Sequence, residues 1–175
     1  MTAQSNPVRF EHSSVMPASV AELWDFHQRP DALELLAPPL LGFEVEERGD
    51  GVADGSIIRM IVGRRPFRQR WTAIHASVEP ERAFVDAALE APFPYWVHQH
   101  LFEAQGGNRS RLTDVVWFVP PRWLPGQIGR LMSRAGLRVL FWWRHRVTKR
   151  SLTDKYEKTS RCGHGLWPAA TGGKA

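Results

Sequence analysis

The sequence predicts an α+β domain: a seven-stranded, curved antiparallel sheet wrapped around one long C-terminal helix, with two short helices after the first strand. Three observations lead there. A period-2 segment near the N-terminus runs straight into a helix-start signal. Six more strand-like segments, divided by turn residues, follow from residue 42. The longest stretch of helical period comes last, from about Gln127 to about Lys155. A sheet and a helix that are each apolar on one side bury those sides against one another.

The first strand is Val8 to Val15, where Val8, Phe10 and His12 alternate with Arg9, Glu11 and Ser13. Met16-Pro17-Ala18 ends it. Ser19 and Glu22 then have the spacing of a capping box, which starts a helix whose Val20, Leu23, Trp24 and His27 form one stripe. His27 is expected to be a core or cap residue. Pro30 opens a second short helix, Asp31 to Leu36, stopped by Pro38-Pro39.

The six later strands are expected at Phe43–Glu47, Ile57–Val62, Phe67–Val78, Ala83–Leu89, Tyr95–Ala104 and Arg111–Val119. Their dividers are rich in Gly, Pro, Asn and Asp, which supply tight turns and hence a meander. In the final helix Ile128, Leu131, Met132, Ala135, Val139, Trp142, Trp143 and Val147 recur every three or four residues, as the stripe expected to cover the sheet. The domain is expected over 8–157. Residues 158–175, polar and glycine-rich, are expected to be a disordered tail.

Composition narrows the class. Within 175 residues, eight Trp and nine Phe could not stay solvated, so disorder as the general state is excluded. The single Cys162 can form no internal disulfide, and neither a leader nor a spanning run is visible, so a cytoplasmic location is expected. The net charge of +5 is uneven: residues 122–161 carry eight Arg and three Lys against Asp154 and Glu157. Such a segment is either a solvated helix face or a surface for anionic lipid or an acidic partner. No nucleic-acid reading motif accompanies it, and none of G-x-S-x-G, a phosphate loop or H-E-x-x-H occurs.

The chemistry-bearing residues lie on the strands. Trp96, His98, His100 and Phe102 share one face of their strand, which sets the two histidines about 7 Å apart. Adjacent strands offer Trp71, Ala73 and His75, then Phe84 and Asp86, then Leu112, Asp114, Val116 and Phe118. Matching registers would gather His75, Asp86, His98, His100 and Asp114 among aromatics. Parity does not decide whether that face is inner or outer. Three uses remain open: pairs that hold strands in register, polar handles in a ligand cavity, or acid–base catalysis by a carboxylate-oriented histidine. H-x-H without a firm third ligand is a weak zinc signal, so no metal or cofactor is expected.

The element order, with Trp71-Thr72-Ala73-Ile74-His75, Phe84-Val85-Asp86, the Pro92-to-Phe102 run, Leu112-Thr113-Asp114 and Phe141-Trp142-Trp143-Arg144-His145-Arg146, resembles the ligand-binding SRPBCC proteins of the START and polyketide cyclase superfamily, over about residues 8–155. The resemblance implies a helix-grip fold. It also implies a small hydrophobic ligand, such as a lipid, polyketide or quinone, bound or carried between sheet and helix. The expected lining is Trp24, Trp71, Phe84, Phe93, Trp96, His98, His100, Phe118 and Trp142, with the Pro38-Pro39 and Pro92-Phe93-Pro94 loops at a mouth. A cyclase- or dehydratase-like enzyme using the His and Asp residues is the first alternative. Transient contact of the basic helix with anionic membrane or a partner is the second. Oligomeric state is not set by the sequence.

Overall fold

Ser19 caps its helix as the spacing requires: its hydroxyl accepts from the Glu22 amide, and the Glu22 carboxylate accepts from the Ser19 amide. In a computed structural model that describes residues 6–124 and 126–162, the order is β1 (Val8–Met16), α1 (Val20–Gln28), α2 (Ala32–Leu36), β2 (Phe43–Glu47), β3 (Ile57–Val62), β4 (Gln69–Glu79), β5 (Ala83–Glu90), β6 (Tyr95–Ala104), β7 (Ser110–Val119) and α3 (Gly126–Cys162). Of residues 155–162 only the backbone path is described. The strands form one antiparallel sheet in the order β1-β7-β6-β5-β4-β3-β2. The helix-grip expectation holds, and every expected strand is present within two residues of its predicted ends. The first five residues of the expected tail, 158–162, continue α3, while 163–175 lie outside the described residues.

Register shifts between Val45 and Glu47, Thr72 and Ala73, and Ala76 and Glu79 bend the sheet. Its inner face meets α1 and α2 at one end and α3 along its length. Two apolar clusters fill that space. One joins Met16, Leu23, Trp24, Phe26, Phe84, Phe102, Leu112 and Leu152, and the other joins Phe10, Trp96, Val116, Phe118, Leu137 and Phe141.

The face of α3 that covers the sheet differs from the one hydropathy selects. Leu137, Phe141, His145, Thr148 and Leu152 are buried, at steps of three and four. Most of the expected stripe points outward instead: Ile128, Leu131, Met132, Val139 and Trp142 are exposed, whereas Trp143 is half-buried and Val147 packs against the core. The reason is chemical. The middle of the sheet's inner face carries His98, His100 and Asp114, so the helix presents His145 and Thr148 there, and a buried face containing two polar residues loses the hydropathy contest to the outer one. No described helix is long and apolar enough to cross a membrane.

Candidate functional site

Strand pairing decides which histidines and carboxylates meet. Asp86 on β5 stands opposite His98 on β6, His100 stands opposite Asp114 on β7, and His12 on β1 stands opposite Asp114 on its other side. All these side chains share the inner face, so the face that parity left open is the one turned toward α3. His145 then descends from the helix onto Asp114.

The result is a polar layer between the two apolar clusters. His98 Nε2 donates to Asp114 Oδ1 at 2.8 Å, and His145 Nε2 donates to Asp114 Oδ2 at 2.5 Å. His100 Nε2 donates to Asp86 Oδ2 at 3.2 Å, and His98 Nδ1 lies 3.1 Å from the same oxygen. His100 Nδ1 is 3.0 Å from Asp114 Oδ1, in ion-pair range though not aligned as a hydrogen bond. His145 Nδ1 is buried and unpartnered. The Phe84 ring stacks on His100 at 4.0 Å, and His98 meets Phe141 edge-on at 5.1 Å, which keeps water from both imidazoles.

Burial opposes charge on His98, Asp114 and Asp86, yet their pairing overcomes it. For His98, desolvation is outweighed by the Asp86 charge and by hydrogen bonds to Asp114 and Asp86, so its pKa rises to about 9. For Asp114, burial is outweighed by His100, His145 and His98, and its carboxyl is held well below the usual range. Asp86 is lowered too, its burial outweighed by the charge and hydrogen bonds of His98 and His100. Asp114, buried, and Asp86, half-buried, therefore stay ionised around a protonated His98. Arg144, half-buried, has its pKa lowered by desolvation with the two carboxylates opposing.

The sequence-predicted residues divide. Asp86, His98, His100 and Asp114 come together. His75 does not join them: it is buried, but its Nδ1 pairs with the Gly51 carbonyl at 2.9 Å, and desolvation lowers its pKa. His145 and His12 were missed as site members. Their signal was the helix face at 137, 141, 145, 148 and 152, and the β1 alternation that puts His12 inward.

The expected ligand wall is largely packed against itself. Trp24 meets Phe84 and Phe102 edge-on, and Phe93 lays its ring against Trp71, Trp96 and Phe118, so the Pro92–Pro94 turn closes that end rather than opening it. Trp142 is half exposed rather than between sheet and helix, where Phe141 takes the inner position, and it lines a surface recess instead. Two recesses lie at the surface of the described residues. One, of about 420 Å³, runs between β1 and α3 and is lined by His12, Ser14, Trp142, His145, Arg146, Lys149 and Arg150. The other, of about 380 Å³, is formed by the β2–β3 end, including Gly42, Gly63 and Arg64. The first reaches the polar layer, since His145 belongs to both and the His12 ring stands edge-on to it at 4.5 Å.

The layer also answers the weak zinc signal. Asp86 supplies a third donor beside H-x-H, with ligand atoms of Asp86, His98 and His100 within 4.8 Å of one another. The proton that His98 holds competes with any cation there.

Residues 16–141 match the family described as polyketide cyclase/dehydrase and lipid transport. The chain belongs to that family. No curated protein matches the sequence. Among solved structures, this cyclase/dehydrase family member is similar to a nucleoside-diphosphate sugar epimerase from Corynebacterium glutamicum, at 23% identity and TM-score 0.66. The match covers 86% of this chain but only 30% of that one. It is similar also to norcoclaurine synthase from Thalictrum flavum, at 16% identity and TM-score 0.64 over 87% of this chain and 99% of that one. A third is the ZhuI aromatase/cyclase from Streptomyces sp. R1128, at 17% identity and TM-score 0.60 over 91% and 99%. At these identities the likeness is one of fold.

Proposed function

We propose that the chain binds a small, mainly apolar carbonyl compound bearing an acidic group in the recess between β1 and α3, and that the Asp114–His145 pair moves a proton on it. The observation that carries this reading is the 2.5 Å hydrogen bond from His145 Nε2 to Asp114. With Nε2 committed to Asp114, His145 Nδ1 is the ring nitrogen left without a partner, the arrangement of a carboxylate-oriented acid–base histidine. Abstracting a proton α to a carbonyl leaves an enolate; attack of that carbon on a second carbonyl closes a ring, and loss of water completes a dehydration. Arg146, Lys149 and Arg150 stand where they would offset the negative charge, and Trp142 supplies an apolar wall. The family's cyclase and dehydrase description and the aromatase/cyclase among the fold relatives support the same chemistry.

Carriage of a hydrophobic ligand without turnover is the second reading, favoured by the family's lipid-transport description. Trp fluorescence titration with a panel of aromatic β-dicarbonyl acids, followed by product analysis, separates the two. Saturable quenching with ring-closed product that His145→Gln abolishes is the expected result. Saturable quenching with no product across the panel indicates carriage, and the absence of binding by any member overturns both.

A further inference from the structure

The outer face of α3 is unusual for a helix packed on a sheet. Ile128, Leu131, Met132, Val139 and Trp142 are 68%, 71%, 56%, 67% and 52% exposed, and with Ala135 they fall within about 100° of arc at about 100° per residue. They make a continuous apolar stripe about 21 Å long at 1.5 Å per residue. Trp123, 76% exposed, stands just before the helix. Continuing along the same side, the next positions are Arg146, Lys149 and Arg150, and the Arg146 guanidinium lies over the Trp142 ring at 5.5 Å.

Charge selects the occupant. No Asp or Glu stands between Asp114 and Asp154, whereas seven Arg and one Lys do. A second copy meeting this face through a two-fold axis would set like charges against each other. Residues 1–5 and 163–175 contain no acidic residue either, so neither end of the chain complements it. An apolar stripe whose bordering charges on α3 are all cationic, Arg138 beside it and Arg146, Lys149 and Arg150 at its end, with indoles near it, fits the boundary between anionic headgroups and acyl chains. We infer that the outer face of α3 docks on anionic bilayer surface, with Ile128, Leu131, Val139 and Trp142 entering the acyl boundary and the Arg and Lys side chains meeting the headgroups. The docked face ends at the rim of the β1–α3 recess, where a ligand dissolved in lipid would enter.

The experiment is co-sedimentation with sucrose-loaded vesicles of phosphatidylcholine alone or with 30 mol% phosphatidylglycerol, a composition chosen at roughly physiological surface charge. The full chain should bind the anionic vesicles at least about tenfold more tightly than the neutral ones, and lose most of that preference on raising salt as charges are screened. Leu131→Asp with Val139→Asp, both exposed positions, should weaken binding at least about tenfold while leaving the thermal unfolding curve unchanged. Should that double variant fold poorly, Ile128→Ser with Met132→Ser tests the same face. Equal lack of binding to both vesicles, or binding that neither variant alters, overturns the inference. So does sedimentation equilibrium showing a lipid-free dimer that the variant dissociates, or tight binding to an acidic polypeptide such as poly-Glu with none to vesicles. Ligand quenching in the recess is read separately on the same variants, which distinguishes failure of the docking face from failure of the recess.

Discussion

The Asp114 carboxylate on β7 and the His145 imidazole on α3 meet at 2.5 Å, deep between two apolar clusters, and through its other oxygen Asp114 holds His98 at 2.8 Å. One carboxylate thus fastens the long helix to the middle of the sheet. Removing His145 takes one donor from an Asp114 that keeps His98. Removing His98 takes from both Asp114 and Asp86 the protonated partner they share, leaving each carboxylate with less charge compensation in the interior. His145→Ala is therefore expected to cost about 2 kcal/mol, in the range for a hydrogen bond to a charged group. His98→Ala should cost about 3–5 kcal/mol, as for a broken buried ion pair. Urea unfolding monitored by Trp fluorescence measures both. Equal costs would mean that His98 carries no bridging charge.

Stability should fall on both sides of neutrality, for different residues. His98 has a folded pKa of about 9 against 6.5 unfolded, so the folded state holds the extra proton between these values. Its contribution is complete below about pH 6.5 and is lost as pH rises through about 9. His27 behaves oppositely: burial, with the His100 charge adding, lowers its pKa to about 4, so the unfolded state takes the proton first and stability declines as pH falls from about 6.5 toward 4. Asp114 and Asp86, both lowered, lose their contribution at still more acid pH. Midpoints of urea unfolding from pH 4 to 10 should trace this curve. His98→Gln should flatten the alkaline limb and leave the acid limb, while His27→Gln should do the reverse.

Much of this was legible from residue order. Strand alternation put His98 and His100 on one face, and turn spacing gave a meander in which Asp86 and Asp114 flank them, so four members of the layer were identifiable before any coordinates. His145 was not. A helix has two candidate faces, and on α3 the outer one, Ile128 to Trp142, is the more hydrophobic. Hydropathy favours the face with more apolar residues, but the sheet favours the face that satisfies Asp114. His75 failed for the converse reason: its parity was right, but the Gly51 carbonyl lay nearer than the layer. The family resemblance implied room for a ligand between sheet and helix. Instead, the Trp24, Phe84 and Phe102 rings and the Trp71, Phe93 and Trp96 rings close on one another.

Two adjacent residues test which side of α3 faces the sheet. Phe141 is fully buried against Phe10 and His98, whereas Trp142 is 52% exposed. Phe141→Ala should cost about 3–5 kcal/mol through the cavity it leaves. Trp142→Ala, at a surface position, should stay within about 0.5 kcal/mol. Chemical denaturation of the two variants decides it, and the reverse ranking would restore the face that hydropathy selects.

A pair of glycines on the same helix makes the last test. Gly136 has open space where a Cβ would go, so Gly136→Ala should stabilise by up to about 1 kcal/mol through helix propensity. At Gly129 a Cβ would lie 1.6 Å from the Leu124 carbonyl oxygen and 2.7 Å from its carbon, both of them backbone atoms that cannot rotate away. The 120–124 segment turns back on itself there, with the Leu124 amide donating to the Pro121 carbonyl at 2.9 Å. Gly129→Ala must therefore push that turn from the helix, and it should destabilise despite the same propensity gain. The displacement would also move Trp123 relative to the outer stripe. Thermal unfolding of both variants reads the sign directly: stabilisation by Gly129→Ala would mean that the turn before α3 does not pack on the helix as described.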